Sequence, residues 1–254
     1  MRHTAPVDVV ARLRTAGCVF AEDEAAVILA SAADPDEIAS MVTARCAGVP
    51  LEHVVGWADF AGIRVRLDPG VFVPRRRSEL LVREAIALVR PGAVVADVCC
   101  GSGALGAALA AAVAVDLHAT DLDPAAVACA RRNVPAVYEG DLFDALPRSL
   151  EGHVDLLLCN TPYVPTAQIA LLPAEARDHE PRRTLDGGSD GLDVQRRVAA
   201  EARQWLSPRG SLLVEVSDHQ ASAAAGVFDA YATRVVHDDD LGATVVVATM
   251  RPEA

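Results

Sequence analysis

Val94-Val95-Ala96-Asp97-Val98-Cys99-Cys100-Gly101-Ser102-Gly103-Ala104-Leu105-Gly106 reads as an apolar strand, a tight turn and the first turn of an Ala/Leu-rich helix. Gly101 and Gly103 allow the backbone to approach a ligand closely where strand gives way to helix. Downstream, Ala119-Thr120-Asp121-Leu122-Asp123-Pro124 puts a carboxylate at the end of a second strand, where a ribose diol lies in such folds. Gly140-Asp141-Leu142-Phe143 ends a third strand with a carboxylate and apolar side chains suited to the edge and face of an adenine. The apolar run Val154-Asp155-Leu156-Leu157-Leu158-Cys159 then delivers Asn160-Thr161-Pro162-Tyr163 to a fourth strand end.

Asn160 therefore sits on a turn stiffened by Pro162 and walled by Tyr163. A planar nitrogen with two N–H donors is received there by the Asn160 side-chain oxygen and a neighbouring backbone carbonyl, with the Tyr163 ring on its flat face. Taken alone, the tetrapeptide is equally an Asx-type turn closing a strand. Its place after three other strand-end sites gives it meaning.

The order Asp97, Gly101, Gly103, Asp121, Asp141 and Asn160-Thr161-Pro162-Tyr163 resembles the class I S-adenosylmethionine-dependent methyltransferases. More narrowly, the chain resembles the protein-(glutamine-N5) methyltransferases, which modify the glutamine of the Gly-Gly-Gln loop of peptide-chain release factors. Phe72-Val73-Pro74-Arg75 with Ser78-Glu79, Glu180-Pro181 with Leu185, and Gly187-Gly188-Ser189-Asp190-Gly191-Leu192 carry the narrower match, which runs from about Gly56 onward. The resemblance implies S-adenosyl-L-methionine as cofactor, held by Asp97, Cys99, Gly101, Gly103, Asp121, Leu122, Asp141, Leu142 and Asn160. It implies a catalytic loop of Asn160, Thr161, Pro162 and Tyr163, and a protein partner that presents an exposed glutamine loop. Two positions depart from the family pattern: Thr161 replaces the first proline of Asn-Pro-Pro-Tyr, and Cys99 stands where a glycine is usual.

Strands are expected near 94–99, 115–120, 136–138, 154–159, 211–216, 232–236 and 243–249, with helices between most of them. Alternating β and α units mean an α/β, doubly wound, seven-stranded sheet of the Rossmann-like class I methyltransferase type. The short link His237–Gly242 makes the last two strands an antiparallel pair. Residues 6–17, 23–32 and 35–47 read as short helices, the third capped by Asp34 with Pro35 at its first position. Ile63, Val65 and Leu67, the turn Asp68-Pro69-Gly70, and Val71 and Val73 read as a β-hairpin. The expected organisation is a helical substrate-recognition domain over 1–55, a hairpin linker over 56–78 and a cofactor-binding catalytic domain over 79–254. Residues 164–188 read as a long loop forming a lid or a substrate wall.

The chain has 254 residues, 52% hydrophobic and 23% charged, enough for a full core. A net charge of −12, with every cation an arginine, argues against extensive nucleic-acid binding, because such binding draws its affinity from phosphate neutralisation. Arg75-Arg76-Arg77 is the one dense basic run and reads as a solvated face or a cleft lining. The six cysteines form no C-x-x-C pair and the histidines no ligand cluster, so no metal site is expected and the thiols read as reduced. Without a long apolar run or a signal-peptide h-region, a cytoplasmic protein with no membrane partner is expected. Three functions fit: glutamine N5-methylation of a protein, N-methylation of a nucleobase or small-molecule amine or amide, and non-catalytic cofactor binding.

Overall fold

The computed structural model describes residues 6–252. Helices α1 (Pro6–Thr15), α2 (Ala21–Ser31), α3 (Pro35–Cys46) and α4 (Leu51–Val55) open the chain. Val9, Leu13, Ala21, Ala25, Ile28 and Val42 form an apolar cluster of their own there. Asp34 caps α3 as expected, its carboxylate accepting the Asp36 N–H at 2.9 Å. Arg45 is buried in this bundle and pairs with Glu24 on α2 at 2.6 Å.

A hairpin follows, but in a different register from the one expected. Its strands are β1 (Trp57–Phe60) and β2 (Ile63–Arg66), with Phe60 opposite Ile63 across Ala61-Gly62. Both turn residues have positive φ, 47° and 80°, which suits the tight twisted turn of a two-residue hairpin. Asp68-Pro69-Gly70 also turns, closed by Val71 N–H to Asp68 O at 3.2 Å, yet no returning strand forms. The backbone of 71–73 is bonded to side chains instead: His53 Nε2 donates to Val71 O at 2.8 Å, and Val73 N–H donates to Glu180 Oε1 at 3.1 Å.

The remaining elements are α5 (Glu79–Leu88), β3 (Val94–Val98), α6 (Ala104–Ala112), β4 (Asp116–Asp121), α7 (Pro124–Ala130), β5 (Ala136–Glu139), β6 (Val154–Cys159), α8 (Ala174–His179), α9 (Asp193–Trp205), β7 (Leu206–Val216), α10 (Ala221–Val227), β8 (Ala232–Asp238) and β9 (Ala243–Thr249). Seven strands make one sheet in the order β5-β4-β3-β6-β7-β9-β8. Only β9 runs antiparallel to its neighbours, so the expected closing pair is present. Strand β7 begins earlier than expected, at Leu206, after a register shift between Val154 and Leu156 of its partner.

Alternation along the strands feeds two apolar layers, and both faces are covered by helices. Val95, Leu156, Leu158, Leu213, Val245 and Val247 join α5, α6 and α7 on one face. Ala96, Val98, Leu157, Leu212, Val214 and Val246 join α9 and α10 on the other. Strand β3 pairs with β4 on one side and β6 on the other, so the chain reverses its winding there. In such sheets the carboxyl ends of the strands beside that point hold the ligand.

Residues 164–188 carry more structure than the loop expected from sequence. They contain α8 and short 3-10 turns at Thr166–Leu171 and Arg182–Thr184, and a bridge between Val164 and Asp186 closes their base. Arg45 reaches Glu175 of α8 at 2.6 Å, tying this segment to the N-terminal bundle. Arg45→Ala leaves the mostly covered Glu24 side chain, 12% exposed, without a cation and should cost about 3 kcal/mol, read from urea unfolding. A loss under 1 kcal/mol would mean that water replaces the pair.

Asp97 on β3 is fully buried. Its Oδ2 accepts the Gly106 N–H at 3.0 Å and its Oδ1 has no partner. Burial pushes its pKa from 3.8 up to about 7, against the opposing Gly106 bond. The folded state thus binds a proton more tightly than the unfolded chain, and stability falls as pH rises from 3.8 toward about 7. Asp97→Asn keeps the bond to Gly106 without the charge. The stability of this variant relative to the unmutated protein should therefore rise between pH 4 and pH 8 in denaturant titrations, and parallel profiles would rule out the ionisation.

Candidate active site

One cavity lies at the carboxyl ends of β3, β4 and β6, and its floor is the glycine-rich turn. Gly101 has φ +56°, and a Cβ built there meets nothing closer than Phe72 at 4.0 Å, so the backbone faces open space. Its N–H donates to Asp121 Oδ2 at 2.8 Å, and Asp123 N–H donates to Asp121 Oδ1 at 2.9 Å. Each carboxylate oxygen keeps a second lone pair for a hydroxyl donor. Burial raises the Asp121 pKa, while these two backbone bonds hold it down. Leu142, at φ +50°, is held through its carbonyl by the Thr120 hydroxyl at 2.8 Å. Burial also raises the pKa of the Cys99 and Cys100 thiols, so both are neutral lining groups. The acidic set with an open glycine backbone fits a nucleoside that carries a ribose diol and positive charge, as S-adenosylmethionine does.

Two arginines rim this half of the cavity. Arg197 on α9 pairs with Asp141 at 2.8 Å, and Arg183 pairs with Asp123 at 3.0 Å. Asp141 thus meets a ligand with one oxygen already bound to a guanidinium.

The other half is the Asn160–Tyr163 turn. Asn160 Nδ2 donates to the buried Ser78 hydroxyl at 3.2 Å, which turns the amide nitrogen toward Ser78 and leaves Oδ1 as an acceptor. Tyr163 O–H donates to Glu215 Oε1 at 2.7 Å, and Arg77 Nε donates to the same oxygen at 3.0 Å. The Arg77 guanidinium also stands 5.7 Å from the Tyr163 ring centroid. Burial, followed by the Glu215 charge, raises the Tyr163 pKa and keeps the phenol protonated. Gln220 Nε2 donates to Tyr163 O at 2.9 Å and to Asp190 O at 2.8 Å. Gly191 lies against this carbonyl so closely that an added Cβ would stand 2.2 Å from Tyr163 O. That contact is a physical reason for glycine in the Gly187–Leu192 stretch.

Cys99, Gly101, Asp121, Leu122, Asp141, Leu142, Asn160, Thr161, Pro162 and Tyr163 all line this one cavity. Asp97 and Gly103, also expected to hold cofactor, are not among its lining residues. Asp97 is behind the turn, bonded to Gly106, and Gly103 begins α6 at φ +77° with Val134 packed where a Cβ would be. Both shape the turn.

Arg183, Arg197 and Glu215 escaped the sequence reading as site residues, and Arg77 enters it only within the basic run read as a solvated face or a cleft lining. Glu215 had a signal: it is the one charge in the apolar run Leu212-Leu213-Val214-Glu215-Val216, and a buried charge demands a partner. Of the Arg75-Arg76-Arg77 run, Arg75 and Arg77 turn to the buried carboxylates Glu180 and Glu215.

A model of the methyltransferase small domain matches residues 62–176. A release factor glutamine methyltransferase of Geobacter sulfurreducens is 36% identical over 205 residues, 77% of this chain and 71% of the relative. A 4-amino-L-phenylalanine/4-methylamino-L-phenylalanine methyltransferase of Streptomyces pristinaespiralis is 37% identical over 201 residues, 74% of this chain and 68% of the relative. Among solved structures, a methyltransferase from Pyrococcus furiosus shares the fold at TM-score 0.55 and 16% identity, covering 74% of this chain and 89% of its own. With this identity over more than two thirds of both chains, the chain belongs to the release factor glutamine methyltransferase family.

Proposed function

We propose that this protein transfers the methyl group of S-adenosylmethionine to the side-chain amide nitrogen, N5, of a protein glutamine in the Gly-Gly-Gln loop of a peptide-chain release factor, in the cytoplasm. The observation that carries the reading is the setting of Asn160: its nitrogen is bonded to Ser78 and its oxygen is left as an acceptor, at a strand end beside a cradle fit for a nucleoside. S-adenosylmethionine supplies a methyl already activated on a sulfonium, so the protein has to bind, orient and exclude water.

In this reading Asp121 receives the ribose diol, and Asp141 and Leu142 face the adenine. Gly101 gives the backbone room, and Cys99 and Leu122 supply apolar wall. An amide nitrogen is a poor nucleophile because its lone pair is delocalised into the carbonyl. Asn160 Oδ1 and the Thr161 carbonyl accept its two N–H groups, aim the nitrogen, and hold the positive charge that grows there as its bond to carbon forms and the methyl–sulfur bond breaks, after which one N–H proton leaves to water. Pro162 stiffens the turn, and Tyr163, fixed by Glu215, covers the flat face of the acceptor. Residues 1–55 are the substrate-recognition part, 56–78 the link, and 79–254 the catalytic part. The acidic surface suits a protein acceptor better than a nucleic acid.

A second reading, methylation of a small aromatic amine, is supported by the likeness to the 4-amino-L-phenylalanine methyltransferase. Incubation with labelled cofactor separates the two. Label should enter a release factor and disappear when the glutamine of its Gly-Gly-Gln loop is changed to alanine. Label on RNA, or on an aromatic amine alone, would displace the protein-glutamine reading. Asn160→Ala should keep cofactor affinity and lose about 10²-fold or more in kcat. Asp121→Ala should weaken cofactor binding by roughly 1–3 kcal/mol in calorimetry, through unpaired ribose hydroxyls.

A further inference from the structure

Thr161 lines the active-site cavity and is 2% exposed, and its hydroxyl has no hydrogen-bond partner. A buried hydroxyl without a partner is costly, and although this oxygen is itself covered, a rotation about χ1 toward the adjoining cavity gives it a partner when a ligand arrives. The rest of the turn decides which ligand group that is. Asn160 has turned its nitrogen to Ser78, the Tyr163 hydroxyl donates to Glu215, and Pro162 has no N–H. What the turn offers an incoming group is therefore rich in acceptors, and the Thr161 hydroxyl is its one wholly unpartnered side-chain donor.

A primary carboxamide presents two N–H donors and one carbonyl acceptor on a single plane. The acceptors of the turn receive the donors, and the carbonyl still requires a donor. An aromatic amine has N–H donors and no carbonyl. We propose that the Thr161 hydroxyl donates to the carbonyl oxygen of the acceptor amide and makes the site selective for carboxamides over aromatic amines. This assignment rests on the methyl-transfer reading above. A proline at position 161 carries no hydroxyl, so the departure from Asn-Pro-Pro-Tyr gives this chain a recognition group of its own.

Thr161→Val removes the hydroxyl at constant shape, and Thr161→Ser keeps it. For the valine variant, kcat/KM on a glutamine-bearing release factor should fall about tenfold, mainly through KM, with Kd for S-adenosylhomocysteine unchanged. Its selectivity for the factor over 4-amino-L-phenylalanine should fall by a similar factor, and the serine variant should recover most of the loss. The ligand-free valine variant should also melt a few degrees higher, because an unpaired buried hydroxyl is gone. Unchanged kcat/KM on the factor, equal losses on both acceptors, or a lowered Tm would each overturn the assignment. Should the unmutated protein methylate neither acceptor, the methyl-transfer reading fails. Binding of N-acetylglutaminamide to the S-adenosylhomocysteine-loaded protein then decides the Thr161 assignment: weaker binding by the valine variant sustains it and equal binding ends it.

Discussion

A single buried carboxylate, that of Glu215 on β7, organises the acceptor side of the site. It is 1% exposed and takes hydrogen bonds from Arg77, which precedes α5, and from Tyr163, which follows β6, while its backbone carbonyl takes one from Gln195 on α9. A carboxylate in such a place costs several kcal/mol unless its partners stay in position. Its value is therefore registry more than net stability. Three segments far apart in the chain meet at one point, and the Tyr163 ring has one place to stand.

The 164–188 wall is held by the same means. Arg75 grips both oxygens of Glu180 at 2.6 Å, and Val73 N–H donates to that carboxylate as well. Burial raises the Glu180 pKa, and the Arg75 guanidinium, followed by the Val73 N–H, opposes that shift. The Arg183–Asp123 pair across the cavity rim is weaker, since Arg183 is 58% exposed in its side chain and such pairs contribute about 0–1 kcal/mol. Glu180, with its side chain fully covered, is the anchor, and Arg183 adds direction at the mouth.

What could be read from sequence follows the range of the interactions involved. The apolar runs at 94–98, 154–159 and 243–249 are local signals, and they became strands within a residue of expectation. Strand-end residues such as Asp121 and Asn160 inherit their positions from those strands, which is why they meet in one cavity. The hairpin failed for a non-local reason: Ala61-Gly62 and Asp68-Pro69-Gly70 both turn, and the choice between them was made by distant His53 and Glu180. Arg77 and Glu215 are 138 residues apart, so no window of sequence holds both. The Glu180-Pro181 and Phe72–Arg75 stretches were each legible as motifs, while the ion pair that explains why they occur together was not.

Cys99 shows how firmly the surrounding structure sets the floor of the site. At φ +59° it occupies the region where a glycine is at ease and a side chain costs roughly 1–2 kcal/mol. The turn keeps that shape because its neighbours over-determine it. Cys100 N–H donates to Thr120 O at 3.0 Å, Gly103 N–H to Cys100 O at 2.7 Å, and Gly101 N–H to Asp121 at 2.8 Å. Three bonds made by the residues that follow Cys99, with strand β3 fixed before it, outweigh its preference, so the side chain takes the place of a hydrogen atom in that turn. The strain is tolerated where a parallel sheet can pin both ends of the turn, and β3 and β4 provide that here.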